Sequence, residues 1–264
     1  YWIYRIVNNY GIAILIFTLL TKLILLPFTI KQQKSLEKSK EMQPLLQDLQ
    51  NRYKDDQQKL SEEYQKLMKD KGFNPFGGCL LSFIQIPIII GMLYVVGKPL
   101  SYMLKMPEQE IKQKIIEIMP EGYSEENYDD YIKQNRYVEL KVVKAENILN
   151  LDFLGLNLGD VASEDKTNWK LYIIPFLSAL FAGLSIFVVN KGNEQPKPTN
   201  QEEEIPMPNM KAMNISMILL SGWIAYIVPQ GLGLYWFFSS FLQIIIQLGM
   251  KKFLKKETKL IEGK

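Results

Sequence analysis

A single lysine lies inside one of the apolar stretches of this chain. Lys22 stands in the run GIAILIFTLLTKLILLPFTI, residues 11–30, eight positions before Lys31. Eight residues span about 12 Å along a helix axis, so snorkelling to a membrane surface would use most of the side chain's reach. A lysine in lipid costs about 2.5 to 3.5 kcal/mol on insertion scales. The position favours a lysine that lines a wet cavity, with a snorkelled lysine as the alternative.

Polar side chains repeat at helical spacing around this lysine and in two other apolar runs. The three stripes are Thr18, Lys22 and Thr29; Ser82 and Gln85; and Ser239, Gln243 and Gln247. The members of each stripe fall on one face of a helix. One stripe alone is more often a set of interhelical hydrogen bonds, but three stripes with a lysine indicate a shared polar groove. Because no Asp or Glu lies in these runs, we expect the charge of Lys22 to meet an acidic group from outside the protein.

The composition excludes most side-chain catalysis. The 264 residues include no His and one Cys, Cys79, so a Cys/His zinc site, a His-dependent triad and an internal disulfide are excluded. No GxxxxGK[ST] phosphate loop is present, and a net charge of +3 is too small to indicate nucleic acid. We predict no enzyme activity, no cofactor and no metal. Because the chain begins at Tyr1, we expect a leader or further residues before it.

The elements that must position these residues are five apolar runs, each near the length that crosses a bilayer core of about 30 Å. The predicted fold class is an all-α integral membrane protein with five transmembrane helices, a polar groove open to the cytoplasm and a cytoplasmic helical hairpin. The predicted segments are an amphipathic outer approach at 1–9, spans at 10–30, 75–97, 171–190, 213–229 and 230–250, the hairpin at 31–74, an extracytoplasmic acidic segment at 98–170, a cytoplasmic loop at 191–212 and a basic cytoplasmic tail at 251–264.

The orientation follows from the basic flanks of the first and fifth spans. These flanks contain Lys31, Lys34, Lys38 and Lys40, and Lys251, Lys252, Lys255 and Lys256. The positive-inside rule places both in the cytoplasm, with the amino terminus outside. The segment 101–168, on the opposite side, carries fourteen Asp and Glu against eight Lys and Arg. Its acidity agrees with this orientation.

The predicted hairpin has two amphipathic arms separated by a polar break at Asp55 and Asp56. Apolar residues recur at helical spacing at Met42, Leu45, Leu46, Leu49 and Tyr53, and at Leu60, Tyr64, Leu67 and Met68. Gly72, Asn74 and Pro75 end the second arm. Pro229, Gln230 and Gly231 form a tight turn between the last two spans. The loop 191–211, rich in Pro, Asn and Glu, is expected to be poorly ordered.

Four stretches of the chain resemble the YidC/Oxa/Alb family of membrane protein insertases. They are TKLILLPFTIKQQKS, MQPLLQDLQNRYK, NPFGGCLLSFIQIPIIIGMLY and PQGLGLYWFFSS. Their order matches the family, and the resemblance covers nearly all the chain except 101–168. Two departures are Leu81, where a proline often follows GC, and Ser240, where Ser-Asn often follows LYW.

The resemblance implies a hydrophilic groove, open to the cytoplasm and the lipid, with a basic residue on the first helix. Lys22 matches that residue, which is more often arginine, and an ammonium lacks the bidentate fork of a guanidinium. Gln85 and Trp236 would also line the groove. The implied client-binding set is Lys22, Thr18, Gln85, Ser82, Trp236, Ser239 and Gln243.

The implied activity is insertion of client proteins without ATP: the groove receives a hydrophilic segment and the client's own helix enters the lipid. The implied partners are nascent membrane proteins and anionic lipid, with the ribosome and the Sec translocon as further partners that the resemblance allows. The protein would act as a monomer in a bacterial cytoplasmic membrane. The alternatives are a small-solute transporter, disfavoured because no internal repeat is found, and a structural membrane subunit.

Overall fold

The computed structural model describes residues 1–54, 56–72, 80–190 and 210–262. Most of these residues are helical, as predicted for this class of membrane protein. The helices are α1 (Trp2–Val7), α2 (Tyr10–Arg52), α3 (Gln57–Asp70), α4 (Leu80–Gly97), α5 (Pro99–Tyr102), α6 (Glu108–Glu117), α7 (Tyr128–Gln134), α8 (Val138–Ala145), α9 (Ile173–Asn190), α10 (Met210–Ile227) and α11 (Gln230–Glu262). An antiparallel ribbon of β1 (Asp152–Phe153) and β2 (Leu156–Asn157) lies between α8 and α9.

The chain divides into two compact units. The first contains Tyr1–Lys22, Ile88–Val189 and Met210–Lys264, and the second contains Leu23–Pro87 and Asn190–Asn209. Lys22 and the helices α9 to α11 therefore belong largely to the first unit. The predicted loop 191–211 lies almost entirely outside the described residues, as do Asp55, Asn74, Pro75 and Cys79.

Three helices within the described part of the chain are long and apolar enough to cross a membrane. Their apolar stretches are Tyr10–Ser35, Trp169–Val188 and Gln230–Met250. Two shorter apolar helices occupy Gln85–Gly97 and Ala212–Ile227. All five stretches fall in the predicted spans or overlap them. Length and composition show three possible spans, so the predicted count of five stays a proposal.

Helix α2 continues without a break through the predicted boundary between the first span and the hairpin. It runs for 43 residues from Tyr10 to Arg52 and includes Pro27 and Pro44. The predicted polar break is present beyond it, because α3 begins at Gln57 after Asp56, whose carboxylate accepts a hydrogen bond from the Lys59 amide (3.0 Å). A side-chain cap of this kind satisfies one of the free amides of a helix's first turn.

Small residues let α9, α10 and α11 approach closely. A methyl group at Gly233 of α11 would lie 2.7 Å from Cγ2 of Ile174, and one at Gly222 of α10 would lie 3.1 Å from Cβ of Ala179. The Ser221 hydroxyl donates to the carbonyl of Ser178, at 3.2 Å. Close backbone approach and serine hydrogen bonds are the usual basis of helix association in lipid. These contacts hold the predicted α10–α11 hairpin against α9.

The segment predicted only as acidic is a folded module, which we call the 98–170 module. Its core is built from α5 to α8 and the ribbon, with fully buried side chains at Leu100, Leu140, Val142, Val143 and Leu158. A buried carboxylate fixes α5 against α8: Glu139 accepts hydrogen bonds from the Ser101 amide (3.0 Å) and hydroxyl (2.6 Å). At the surface, Lys114 donates to Glu146 at 2.6 Å, and this hydrogen bond raises the pKa of Lys114.

The 98–170 module supplies carbonyl groups to the first turns of two apolar helices. The Tyr10 amide of α2 donates to the carbonyl of Asn150 (3.0 Å). At the start of α11, the Gln230 and Gly231 amides donate to the carbonyls of Asp160 and Leu158, both at 2.8 Å. Amides in the first turn of a helix have no partner within the helix. The module therefore satisfies donors that would otherwise lack a partner at the beginnings of α2 and α11.

Candidate functional site

Lys22 and Gln243 join the predicted polar stripes of α2 and α11. Lys22 is half-buried, and its Nζ donates a hydrogen bond to Oε1 of Gln243 at 3.2 Å. The two residues are 221 positions apart in the chain. Both were predicted as site residues, and the structure places them in direct contact within the first unit.

The described residues around Lys22 provide no counter-ion for its charge. In the part of the chain that the structure describes, Lys22 forms no ion pair with a carboxylate, although eight other cation–carboxylate pairs occur there. The amide of Gln243 is neutral, and it accepts only one of the three protons that an ammonium can donate. Two donor positions are therefore available to water or to an acidic group.

The other predicted residues of the first unit lie on the same two helices. Thr18 is buried one turn before Lys22, and its hydroxyl donates to the carbonyl of Ile14 (2.7 Å). Ser239 and Trp236 are half-buried on α11, with Ser239 one turn before Gln243. The hydroxyl of Thr18 is thus bonded within its own helix, and it offers an approaching group its lone pairs only.

Gln247 extends the α11 stripe by one more turn. It is buried, and its Oε1 has no hydrogen-bond partner among the described residues. A buried amide oxygen without a partner is costly, so this atom is suited to accept a hydrogen bond from water. The stripe of Ser239, Gln243 and Gln247 therefore stays polar over two helical turns.

The remaining predicted site residues belong to the second unit. Gln85 is half-buried on α4, and the side chain of Ser82 lies outside what the structure describes. Thr29 is buried on α2 and donates to the carbonyl of Leu25 (3.1 Å). Gln33, which is buried on the same helix, was not among the predicted site residues. Membership of Gln85 and Ser82 in one site with Lys22 is a proposal.

Gln230 is a buried polar residue that was predicted only as part of a turn. Its side chain is fully buried, and its Nε2 donates to the carbonyl of Leu171 (3.0 Å). The bond joins the start of α11 to the start of the apolar stretch that contains α9. A glutamine between proline and glycine gives no sequence signal of burial, because the same residues are typical of an exposed turn.

The described residues offer nothing that would hold a metal ion: no group of three or more His, Cys, Asp or Glu side chains lies close together there. The polar groups on this part of α2 and α11 are one ammonium, two amides and hydroxyl groups, all of which can form hydrogen bonds.

Comparison with known proteins identifies the family. The profile of the family described as 60Kd inner membrane protein matches residues 2–257, nearly the whole chain. The chain belongs to this family. The resemblance to the YidC/Oxa/Alb insertases is thereby confirmed.

Relatives in this family carry the name membrane protein insertase YidC. The protein from Caldanaerobacter subterraneus subsp. tengcongensis is 29% identical over 262 residues, which are 99% of this chain and 93% of that protein. The protein from Treponema denticola is 27% identical over 260 residues, 96% of this chain. The protein from Chlorobium luteolum is 30% identical over 196 residues, 70% of this chain. The matches cover 36% of the Treponema protein and 32% of the Chlorobium protein.

Proposed function

We propose that this chain is a membrane protein insertase whose polar surface around Lys22 receives the hydrophilic segment of a client protein. The observation that supports the proposal best is the half-buried Lys22, which contacts the neutral Gln243 and no described carboxylate. A charge inside an apolar helix is costly unless it interacts with protein or water. An acidic client segment would provide the missing counter-charge during insertion.

In the proposed mechanism, five spans enclose a groove that is open to the cytoplasm and the lipid. Lys22 attracts an acidic client segment, while Gln243, Ser239 and water solvate it. Gln85, Ser82, Thr18 and Trp236 complete the groove in this proposal. The client's own apolar helix then partitions into lipid, and its polar segment is released to the outer side.

No nucleotide is needed in this mechanism. The free energy comes from partitioning of the client helix and from the membrane potential, which contributes about 2.3 kcal/mol per charge per 100 mV. The absence of a GxxxxGK[ST] motif from the sequence agrees with this. We further propose a monomer with its amino terminus outside and its carboxyl terminus in the cytoplasm of a bacterium. The hairpin and the basic tail would then face the ribosome, the Sec translocon or anionic lipid.

The test is insertion of a single-span client with an acidic outer tail into liposomes that contain the purified protein and no nucleotide. The variants are Lys22→Ala, Lys22→Glu and Lys22→Arg, with Lys133→Ala as the control because Lys133 is a solvent-exposed lysine of the 98–170 module. We expect Ala and Glu to lose most insertion, Arg to retain it because the charge persists, and the control to match the wild type. Protease protection of the client tail measures insertion.

Two results would contradict the proposal. Equal insertion by all Lys22 variants, at equal folded content, would show that the charge is not used. Flux of small solutes through the same liposomes without client insertion would favour the transporter instead. A client with a neutral outer tail provides an internal comparison, because it should depend less on Lys22.

A further inference from the structure

The turn between β1 and β2 exposes a leucine in an unfavourable backbone conformation. Leu154 and Gly155 form the turn, with φ of 51° and 78°. Left-handed φ values at both turn positions suit Asn, Asp and Gly, and a leucine is disfavoured there. The Leu154 side chain is 89% exposed, more than any other large apolar side chain in the described part of the chain. Neither the conformation nor the exposure favours leucine at this position in water.

The ribbon lies against the first turn of α2. Phe153 packs on Gly11 so closely that a methyl group at Gly11 would collide with the Phe153 ring. The Asn9 side chain donates from Nδ2 to the carbonyl of Asp152 at 2.9 Å. The apolar stretch of α2 begins at Tyr10. The ribbon is therefore attached beside the first residues of the apolar stretch of α2.

Other exposed apolar side chains occur near the first residues of the apolar helices. Trp2 and Ile6, 76% and 84% exposed, share one face of α1, whereas Tyr4 is buried and its hydroxyl accepts a hydrogen bond from the Asn150 amide. Trp169, which is 70% exposed, begins the apolar stretch that contains α9. Tryptophan at the ends of membrane helices is typical of the membrane–water interface.

We propose that the Leu154–Gly155 turn inserts into the interfacial layer of the bilayer and anchors the 98–170 module to the lipid surface. Insertion would remove the Leu154 side chain from water, and the exposed Trp2 and Ile6 are suited to the same interfacial layer. A lipid occupant is favoured over a protein because the ribbon packs on Gly11, at the start of an apolar stretch that is long enough to cross a membrane. The proposal requires that α2 crosses the membrane, and it does not rest on the proposed insertase activity.

The test uses single-cysteine variants of the full chain in liposomes, with Cys79 replaced by serine. Leu154→Cys carries an environment-sensitive NBD label, and Glu126→Cys, at an exposed position of the same module, carries the control label. Lipids with a nitroxide near the headgroup end of the acyl chain report contact with the bilayer, and iodide reports contact with water. We expect the nitroxide to quench the label at 154 several-fold more than the label at 126, and iodide to show the reverse order.

Each alternative result overturns the proposal. Equal quenching of both labels by iodide would place the turn in water. Protection of the label at 154 from both quenchers would mean that protein covers it, and in these liposomes that protein is a second copy of the chain. Because the Leu154 side chain is solvent-exposed, its replacement removes little packing, and an unchanged unfolding temperature of the labelled protein verifies the fold.

Discussion

At the scale of single residues, the proposed role of Lys22 depends on the neutrality of its hydrogen-bond partner, Gln243. Gln243 fixes the position of the ammonium at 3.2 Å, but it leaves the charge uncompensated. A carboxylate at the same position would satisfy the lysine inside the protein, and the attraction for an external acidic group would be lost. Gln243 therefore positions the ammonium of Lys22, while the positive charge stays available to an acidic group in the proposed mechanism.

Gln243→Glu tests this directly, because glutamate has nearly the same shape and supplies the missing counter-charge. We expect an internal ion pair with Lys22 and a loss of insertion of the acidic-tailed client by about tenfold or more, equivalent to about 1.4 kcal/mol. Gln243→Met keeps the size and leaves the charge free, so it should retain most insertion. Initial rates of client insertion into liposomes measure the effects of both substitutions. Wild-type rates for Gln243→Glu would show that the charge of Lys22 does not act on the client.

The sequence predicted candidate residues for this site, but it did not predict the contact between Lys22 and Gln243. Lys22 was detectable because a charge in an apolar run is energetically exceptional. Its bond to Gln243 depends on how α2 and α11 are placed against each other, which the spacing within each helix does not contain. Gln33 was missed for another reason: it lies among polar neighbours, where Gln is mostly exposed.

At the scale of elements, the packing of α9, α10 and α11 depends on the absence of side chains. Gly233 and Gly222 bring the backbones together, and Ser221 adds a hydrogen bond to Ser178. Apolar burial gives little driving force between helices surrounded by lipid tails. A close fit is therefore the main source of stability at this contact.

Gly233→Ala should destabilise this packing, because the added methyl would lie 2.7 Å from Cγ2 of Ile174. We expect a loss of about 1 to 3 kcal/mol, the usual cost of overpacking. Gly249→Ala on the same helix is the matched control, since no described atom lies within 4 Å of its added methyl. Thermal unfolding in detergent compares the two. Ile174→Ala combined with Gly233→Ala should recover part of the loss, and equal stability of the two glycine variants would contradict the packing argument.

The sequence located the apolar helices, and the span predicted at 10–30 lies within a helix that is longer than the span. The lysines after residue 30 mark the predicted end of the first span, where the predicted hairpin begins. A membrane surface does not terminate a helix, because the backbone hydrogen bonds continue through lipid and water alike. Residues 31 to 52 contain good helix formers such as Lys, Gln, Glu and Leu, so α2 continues to Arg52.

At the scale of the whole molecule, the 98–170 module connects parts of the chain that are distant in sequence. Its carbonyls accept the first-turn amides of α2 and α11, at Tyr10, Gln230 and Gly231. Sequence patterns do not predict this connection, because the helices of the module are short and its acidic charge is its most evident property. The stability of the module should therefore affect the first turns of α2 and α11 together.

Leu140→Ala tests this coupling. Leu140 is 1% exposed in the core of the module, and truncation of a buried leucine costs about 2 to 5 kcal/mol. We expect faster hydrogen exchange at the Tyr10 and Gly231 amides, whose acceptors are carbonyls near the module core, and unchanged exchange at Leu60 of α3 in the second unit. Mass spectrometry of proteolytic peptides measures these hydrogen-exchange rates. Faster exchange confined to the module would show that the helix ends are held independently.

The apolar stretches of the helices differ in length by more than a uniform bilayer can match. The stretch Tyr10–Ser35 has 26 residues, about 39 Å of helix, whereas Ala212–Ile227 reaches only about 24 Å. A hydrocarbon core of about 30 Å is too thin for the first when it stands upright and too thick for the second. Tilting accommodates the long stretch, while a short one requires the adjacent lipid to compress. In the proposed five-span arrangement both stretches cross the membrane, so acyl-chain length would enter the energetics of this protein, and lipids of different chain length would be sorted around its surface.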